Sequence, residues 1–271
     1  MTLEAIYRPI APQLAEVEQL IGEATDARLR PIIAGKRLRA ALLLFSARAW
    51  QPETGHGRRA LGHDAVRIAT AIELVHLASL IHDDVLDSSR RRRRGPALHA
   101  TIGIKPAVIL ADLAFVNGLA RLESIRSRRV VTDTVAAVRV MCEGQWLEVK
   151  AGHGTTEAQY LEIVEKKTAA LFAYACRAGA ELAGDAVVVP ALEEFGHDFG
   201  FAYQLLDDAR DLGAENPNPL ERRLREWGGA RYCRRLAAVY AAGAGRAARR
   251  VPDPTQRLGM KRLLDYVRSH D

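Results

Sequence analysis

The chain has 271 residues, of which 48% are hydrophobic and 6% aromatic, enough apolar material for one large core or two small ones. Its formal net charge of +6 favours anionic partners without choosing among phosphates, nucleic acid and an acidic membrane face. The three cysteines, Cys142, Cys176 and Cys233, are scattered and odd in number, which argues against a disulfide scaffold or a thiolate metal site and suits a reducing cytoplasm.

In chain order, the opening MTLEAIYRPIAPQLAEVEQLI lacks the basic-then-apolar build of a signal peptide. LAEVEQLIGEA has the spacing of an amphipathic helix. AALLLFSARAW follows, then AVRIATAIELVHLASLIHDDVLD and AVILADLAFVNGLARLESI. Next come TVAAVRVMCEGQWLEVK, AQYLEIVEKKTAALFAYACRAGAELAG and ALEEFGHDFGFAYQLLDDARDL. GGARYCRRLAAVYAAGAGRAARRV and RLGMKRLLDYVRSH complete the pattern. Breakers separate these runs at QPETGHG, RRGPA, AGHGTT, VVVP and GAENPNPLE. Only scraps such as AVVVP and RRVV carry β-branched character. The pattern predicts nine or ten helices in one all-α domain spanning 1–271. No apolar run approaches the ~18 residues needed to cross a bilayer, so a soluble protein without a transmembrane segment is expected.

One near-repeat stands out. DDVLD, with Asp83, Asp84 and Asp87, returns as DDARD, with Asp207, Asp208 and Asp211. Each closes a long apolar helix. Positions i and i+4 share a helix face, so Asp83 points with Asp87 and Asp207 with Asp211. Like charges at that spacing repel, and acid sits at the unfavourable end of the helix dipole. One such motif could be a solvated helix end; two are harder to assign to chance. A hard divalent cation relieves the repulsion, and all-oxygen ligands suit Mg²⁺ shared with a phosphate rather than Zn²⁺. Basic groups fit the same reading. AGKRLRA offers Lys36 and Arg39 at i and i+3 on one predicted helix face, Arg92 and Arg93 follow the first acid motif, and Lys167 and Thr168 lie in EKKTAALF.

The ordered series GKRLR, ELVHLASLIHDDVLD, an arginine pair, EGQWLE, KKTAALF, FGFAYQLLDDARDL and LLDYVRSH resembles the trans-prenyltransferase family, also called polyprenyl diphosphate synthases. The likeness spans nearly the whole chain. It implies an isoprenoid synthase helical bundle with a deep central cavity. It implies that an allylic diphosphate ionises under three Mg²⁺ ions and that isopentenyl diphosphate then attacks the allylic cation. It also implies a homodimer, with peripheral membrane contact for release of a long product.

Carried over by motif, Asp83, Asp84, Asp87, Asp207, Asp208 and Asp211 resemble the metal-site carboxylates, the first and last of each motif being the direct ligands. Lys36, Arg39, His76 and Arg93 resemble the isopentenyl diphosphate ligands. Alone, His76 would read as a buried histidine on an apolar helix; its register with Asp83 reverses that. Arg92, Lys167, Thr168 and Gln204 resemble the allylic diphosphate side. The arginine run aligns without gaps on Arg92 and Arg93, whereas a one-residue insertion would select Arg93 and Arg94. Pro96, Leu98 and His99 keep register only without the gap, and Arg90, Arg91 and Arg94 are then solvated charge. Ala78 and Ser79 lie about one helical turn before Asp83, where family members with short products carry bulky aromatics. Two small side chains predict a medium-to-long product unless Phe115 or Trp146 closes the pocket deeper.

The chain departs from the family after Leu212. The usual lysine-bearing cover is missing, and no lysine occurs between Lys167 and Lys261, leaving Arg222, Arg223 or Arg225 as substitutes. A shortened cover raises the alternative of a non-catalytic or regulatory subunit of a heteromeric synthase. A terpene cyclase is disfavoured by GKRLR, and nucleic-acid binding by the lack of any recognised motif or stacking platform beside the arginines.

Overall fold

Residues 1–48, 56–92, 95–125, 127–212 and 219–269 are described by the computed structural model. Apolar residues at helical spacing form helices almost throughout. The first are α1 (Leu3–Tyr7), α2 (Ala11–Ala24), α3 (Arg30–Ile33) and α4 (Leu38–Ser46). They lead into the long α5 (His56–Leu86), then α6 (Leu98–Ile102), α7 (Ile104–Ala120) and α8 (Arg128–Lys150). After α9 (Glu157–Val164), a π-helical turn over Glu165–Ala169 precedes α10 (Ala170–Leu182) and α11 (Val189–Asp211). The chain closes with α12 (Pro219–Glu226), α13 (Gly229–Arg249) and α14 (Pro254–Ser269). The expected all-α class holds. The short helices α1, α3 and α6 carry too few turns to show a period in sequence. RRVV lies inside the first turns of α8.

Local chemistry sets several boundaries. Thr156 and Gln159 form a reciprocal capping box that starts α9. Pro190 sits in the first turn of α11, where a missing N–H costs nothing, so the VVVP breaker opens this helix. GAENPNPLE likewise overlaps a helix, because α12 begins at Pro219. The α5 terminus is a Schellman turn: Ser88 is left-handed (φ 52°), its N–H meets the Val85 carbonyl, and the Ser89 N–H meets that of Asp84 at 2.9 Å.

Helix α11 packs between α10 and α13, α5 packs on α7 and α2, and α4 lies against α5 and α10. Every residue of α4 is buried. The main core includes Phe172, Phe195 and Phe199, with Phe172 and Phe199 edge-to-face at 5.2 Å. Each such ring contributes roughly 1.5–3 kcal/mol by leaving water. A smaller cluster joins Ala78 and Ile81 of α5 to Ala107, Ala111 and Ala114 of α7, with Phe115 packed against both clusters. Within α5, Gly62–Leu86 is long and apolar enough to span a membrane, contrary to the sequence expectation. Its apolar surface is mostly buried against neighbouring helices, as in a core helix.

Candidate active site

The long predicted helix over AQYLEIVEKKTAALF is interrupted by the π turn at Glu165–Ala169. Such turns are rare and recur at functional sites. Two glycines admit it. A Cβ on Gly144 of α8 would overlap the Lys167 backbone nitrogen, and a Cβ on Gly200 of α11 would sit 2.6 Å from Ala169 Cα. The turn therefore lies hard against both α8 and α11. It presents consecutive side chains, Lys167 and Thr168, to the two acid motifs.

Lys167 Nζ stands 3.3 Å from Asp83 Oδ2 and also pairs with Glu148 of α8. Thr168 donates to Gln204 Oε1 at 2.8 Å, and Gln204 Nε2 donates to Asp208 Oδ1 at 2.8 Å. Tyr160 of α9 donates to the other oxygen, Asp208 Oδ2, at 2.5 Å. Asp84 turns away from Asp83 and accepts from Arg92 Nη1 at 2.8 Å, while the same guanidinium nitrogen donates to the Leu80 carbonyl at 2.9 Å. Asp87 and Asp211 are exposed, and Asp207 pairs with Arg210.

Burial raises the proton affinity of the acids. Asp83 is pushed up to about 6, chiefly by desolvation, with Lys167 opposing. Asp208 is pushed up to about 7 by desolvation, against the hydrogen bonds from Tyr160 and Gln204. Asp84 is raised mainly by burial, and Asp87 and Asp211, although their side chains reach the surface, are raised chiefly by partial desolvation. For Asp87 the charges of Glu148 and Glu221 add to it, which brings α12 near this end of the site. Burial works against the Lys167 ammonium, but Glu148 and Asp83 outweigh it and raise its proton affinity.

A second group of predicted residues also comes together. Lys36, Arg39 and His76 line one pocket with Glu73, Leu80 and Tyr203. The stated reason differs, however. Helix α4 begins at Leu38, so Lys36 and Arg39 do not share a helix face. A left-handed Arg37 (φ 52°) turns the chain between them. Arg37 is held by Glu18 at 2.7 Å and by Glu73 at 3.4 Å, and Glu73 also accepts from the Ala40 N–H at 3.1 Å. Arg39 is buried over the Phe172 ring at 4.3 Å, its Nε without a hydrogen-bond partner, and desolvation lowers its proton affinity. His76 lies seven residues before Asp83 and Tyr203 four before Asp207, so the pocket sits about one to two turns below the acid ends.

Arg90 and Arg91 are exposed, and Arg93 and Arg94 lie outside the described residues. Ala78 is fully buried in the smaller cluster, and Ser79 donates to the His76 carbonyl at 2.8 Å. Phe115 is partly buried against that cluster. Trp146 is not: it is 59% exposed, with Lys150 over its ring. Glu73, Glu148 and Tyr160 escaped the sequence reading of the site. Glu73 and Glu148 lie inside quoted motifs, ELVH and EGQWLE, but nothing in their spacing ties them to a basic partner. Tyr160 carries no signal beyond standing seven residues before Lys167.

The donor set suits a hard cation. Asp83 Oδ1 and Asp84 Oδ2 are buried without a hydrogen-bond partner, and the neighbouring oxygen of Asp83 already faces an ammonium. Among the described residues no three acid, His or Cys side chains form a complete metal site by themselves. Phosphate oxygens and water would have to complete the shell, as Mg²⁺ commonly requires.

An all-α bundle with acid motifs ending two long helices, bridged by a lysine-threonine pair above a basic pocket, defines a diphosphate-handling class of protein. A polyprenyl synthetase family model matches residues 21–221, and the chain belongs to that family. It is 36% identical over 188 residues to the geranylgeranyl diphosphate synthase of Methanosarcina mazei, covering 66% of this chain and 56% of that protein. It is 31% identical over 227 residues to heptaprenyl diphosphate synthase component 2 of Geobacillus stearothermophilus, covering 78% and 68%. Its fold matches the crystal structure of a Caulobacter crescentus polyprenyl synthase complexed with calcium and isoprenyl diphosphate. That match has a TM-score of 0.83 and 28% identity over 98% of this chain and 97% of the other. The chain spans little more than half the length of the Methanosarcina relative.

Proposed function

We propose that this protein is a prenyltransferase that condenses isopentenyl diphosphate head-to-tail with an allylic diphosphate, lengthening an all-trans polyprenyl diphosphate. The observation that carries this reading is the bridge from both acid motifs to Lys167 and Thr168, with the Lys36–Arg39–His76 pocket one to two helical turns further along the same helices. Asp83, Asp87, Asp207 and Asp211 would hold Mg²⁺, with Asp84 and Asp208 supporting them through their protein donors. The metal would supply charge stabilisation for a departing diphosphate. Lys167 and Arg92 would meet the allylic diphosphate from the protein side, with Thr168 and Gln204 fixing the Asp208 carboxylate. Lys36, Arg39, His76 and Arg93 would orient isopentenyl diphosphate. In the reaction the allylic C–O bond breaks with its electron pair leaving on diphosphate. The isopentenyl double bond forms the new C–C bond, and the resulting cation gives up a proton to the departed diphosphate.

Small side chains at Ala78 and Ser79 support a medium-to-long product. A homodimer is supported by a stripe of exposed Ile109, Leu113 and Val116 on α7, at helical spacing and each more than half exposed. The three unpaired thiols fit the cytoplasm. The likeness to a synthase component and the short segment after Leu212 favour one second reading, a subunit that needs a partner. The test is incubation of the purified protein with labelled isopentenyl diphosphate, Mg²⁺ and a set of allylic primers, followed by product sizing. Elongation is expected. No elongation with any primer overturns the reading, and elongation only with an added subunit establishes the second.

A further inference from the structure

We propose that Tyr160 is a positioning residue for the second acid motif, and that α12 is coupled to that motif through Trp227 packed on Tyr160. This rests on the reading of the acid motifs as a diphosphate and metal site. Tyr160 is 1% exposed and gives its hydroxyl to Asp208 Oδ2 at 2.5 Å. Asp208 Oδ1 is taken by Gln204, which itself accepts from Thr168. Both oxygens of Asp208 are thus committed to protein donors from different elements. A carboxyl group with a donor on each oxygen cannot rotate freely. The tip of α11 is fixed in direction, with Asp207 and Asp211 left as the outward carboxylates.

Trp227 follows directly on α12. Its ring lies 6.0 Å from that of Tyr160 and 5.9 Å from that of Tyr232, with Arg223 over it at 5.3 Å. Each neighbour is anchored in turn. Arg223 Nε donates to the Thr155 carbonyl at 3.0 Å, and the Tyr232 hydroxyl donates to Glu157 at 2.7 Å. Arg225 ties α12 back to the end of α11 through the Leu212 carbonyl at 2.8 Å. The short helix that follows the second motif is therefore fastened to it by an aromatic contact and a guanidinium. The orientation of Asp208 and the seating of α12 form one mechanical unit, so filling the site should be felt at Trp227.

The test titrates the full chain with Mg²⁺ and inorganic pyrophosphate and follows tryptophan emission, which needs no turnover. The wild type should show a saturable change. Trp227→Phe should lose it, assigning the signal against Trp50 and Trp146. Tyr160→Phe should need several-fold more ligand for half-saturation. In turnover, Tyr160→Phe should lower kcat and raise the Mg²⁺ requirement while the KM for isopentenyl diphosphate holds. If Tyr160→Phe does not fold, Trp227→Leu, followed by calorimetry, should show the same several-fold shift. No binding of Mg²⁺ and pyrophosphate by the wild type in calorimetry overturns the site reading and this proposal with it, whereas binding without an emission change overturns the coupling to α12 alone. A wild-type response left unshifted by Tyr160→Phe overturns the positioning role alone, and an emission change surviving in Trp227→Phe overturns the coupling to α12.

Discussion

Lys167 reaches across from the π turn to within 3.3 Å of Asp83, placing a protein cation against the first acid motif. The same ammonium pairs with Glu148, and both acids are largely shielded. Removing it strands two carboxylates. Lys167→Met should destabilise the metal-free protein by about 2 kcal/mol, less than for a fully buried pair because the ammonium is partly solvated. Mg²⁺ should restore part of the loss. Melting curves with and without Mg²⁺ check this, and an unchanged melting temperature would sink it.

Gly144 is where α8 meets the Lys167 backbone. Gly144→Ala should cost about 1–3 kcal/mol by overpacking. It should also reduce turnover more than the stability loss explains, because the displaced atoms carry Lys167 and Thr168. Activity measured well below the melting temperature separates the two effects.

Asp83 and Asp208 have proton affinities raised by burial to about 6 and about 7. Unfolded, each would titrate near the ordinary ~4. Between those values the folded protein holds protons that the unfolded chain has released. Their stabilisation is full below about pH 4 and is lost as pH rises through 6 to 7. Asp208→Asn removes one of these titrations, so its melting temperature should fall less than the wild type's from pH 5 to pH 8 without metal. Parallel profiles would show that Asp208 does not titrate in this range.

Ser88 ends α5 in the left-handed conformation with a side chain that gains nothing from it. Ser88→Gly should stabilise the protein by roughly 0.5–1 kcal/mol, seen as a small rise in melting temperature. A fall would mean that the hydroxyl matters to the turn.

Ala78 is wholly buried beside Ala107, Ala111 and Ala114. Ala78→Phe should shorten the prenyl product, with a stability loss of about 1–3 kcal/mol from overpacking against α7. Product sizing decides it, and unchanged length would reject this position as a chain-length determinant.

Much of this protein is legible from sequence, because helical period and helix-end chemistry are local. The acid motifs, His76 and the KKT segment were placed by register along single helices, and Asp83 and Asp208 do end up tied to Lys167 and Thr168. What the sequence could not give was which partner each charge takes. The π turn depends on two glycines, Gly144 and Gly200, on helices that meet only in the fold. Glu73 becomes a buried partner of Arg37 only when α5 crosses the start of α4, and Lys36 and Arg39 are brought together by a left-handed residue rather than a helix face. Tyr160 and Trp227 find Asp208 across 48 residues of chain in one case and through that ring in the other. Local periodicity determined the helices and where their acids point. Close packing between distant helices decided which carboxylates are held by protein donors and which keep unpartnered oxygens.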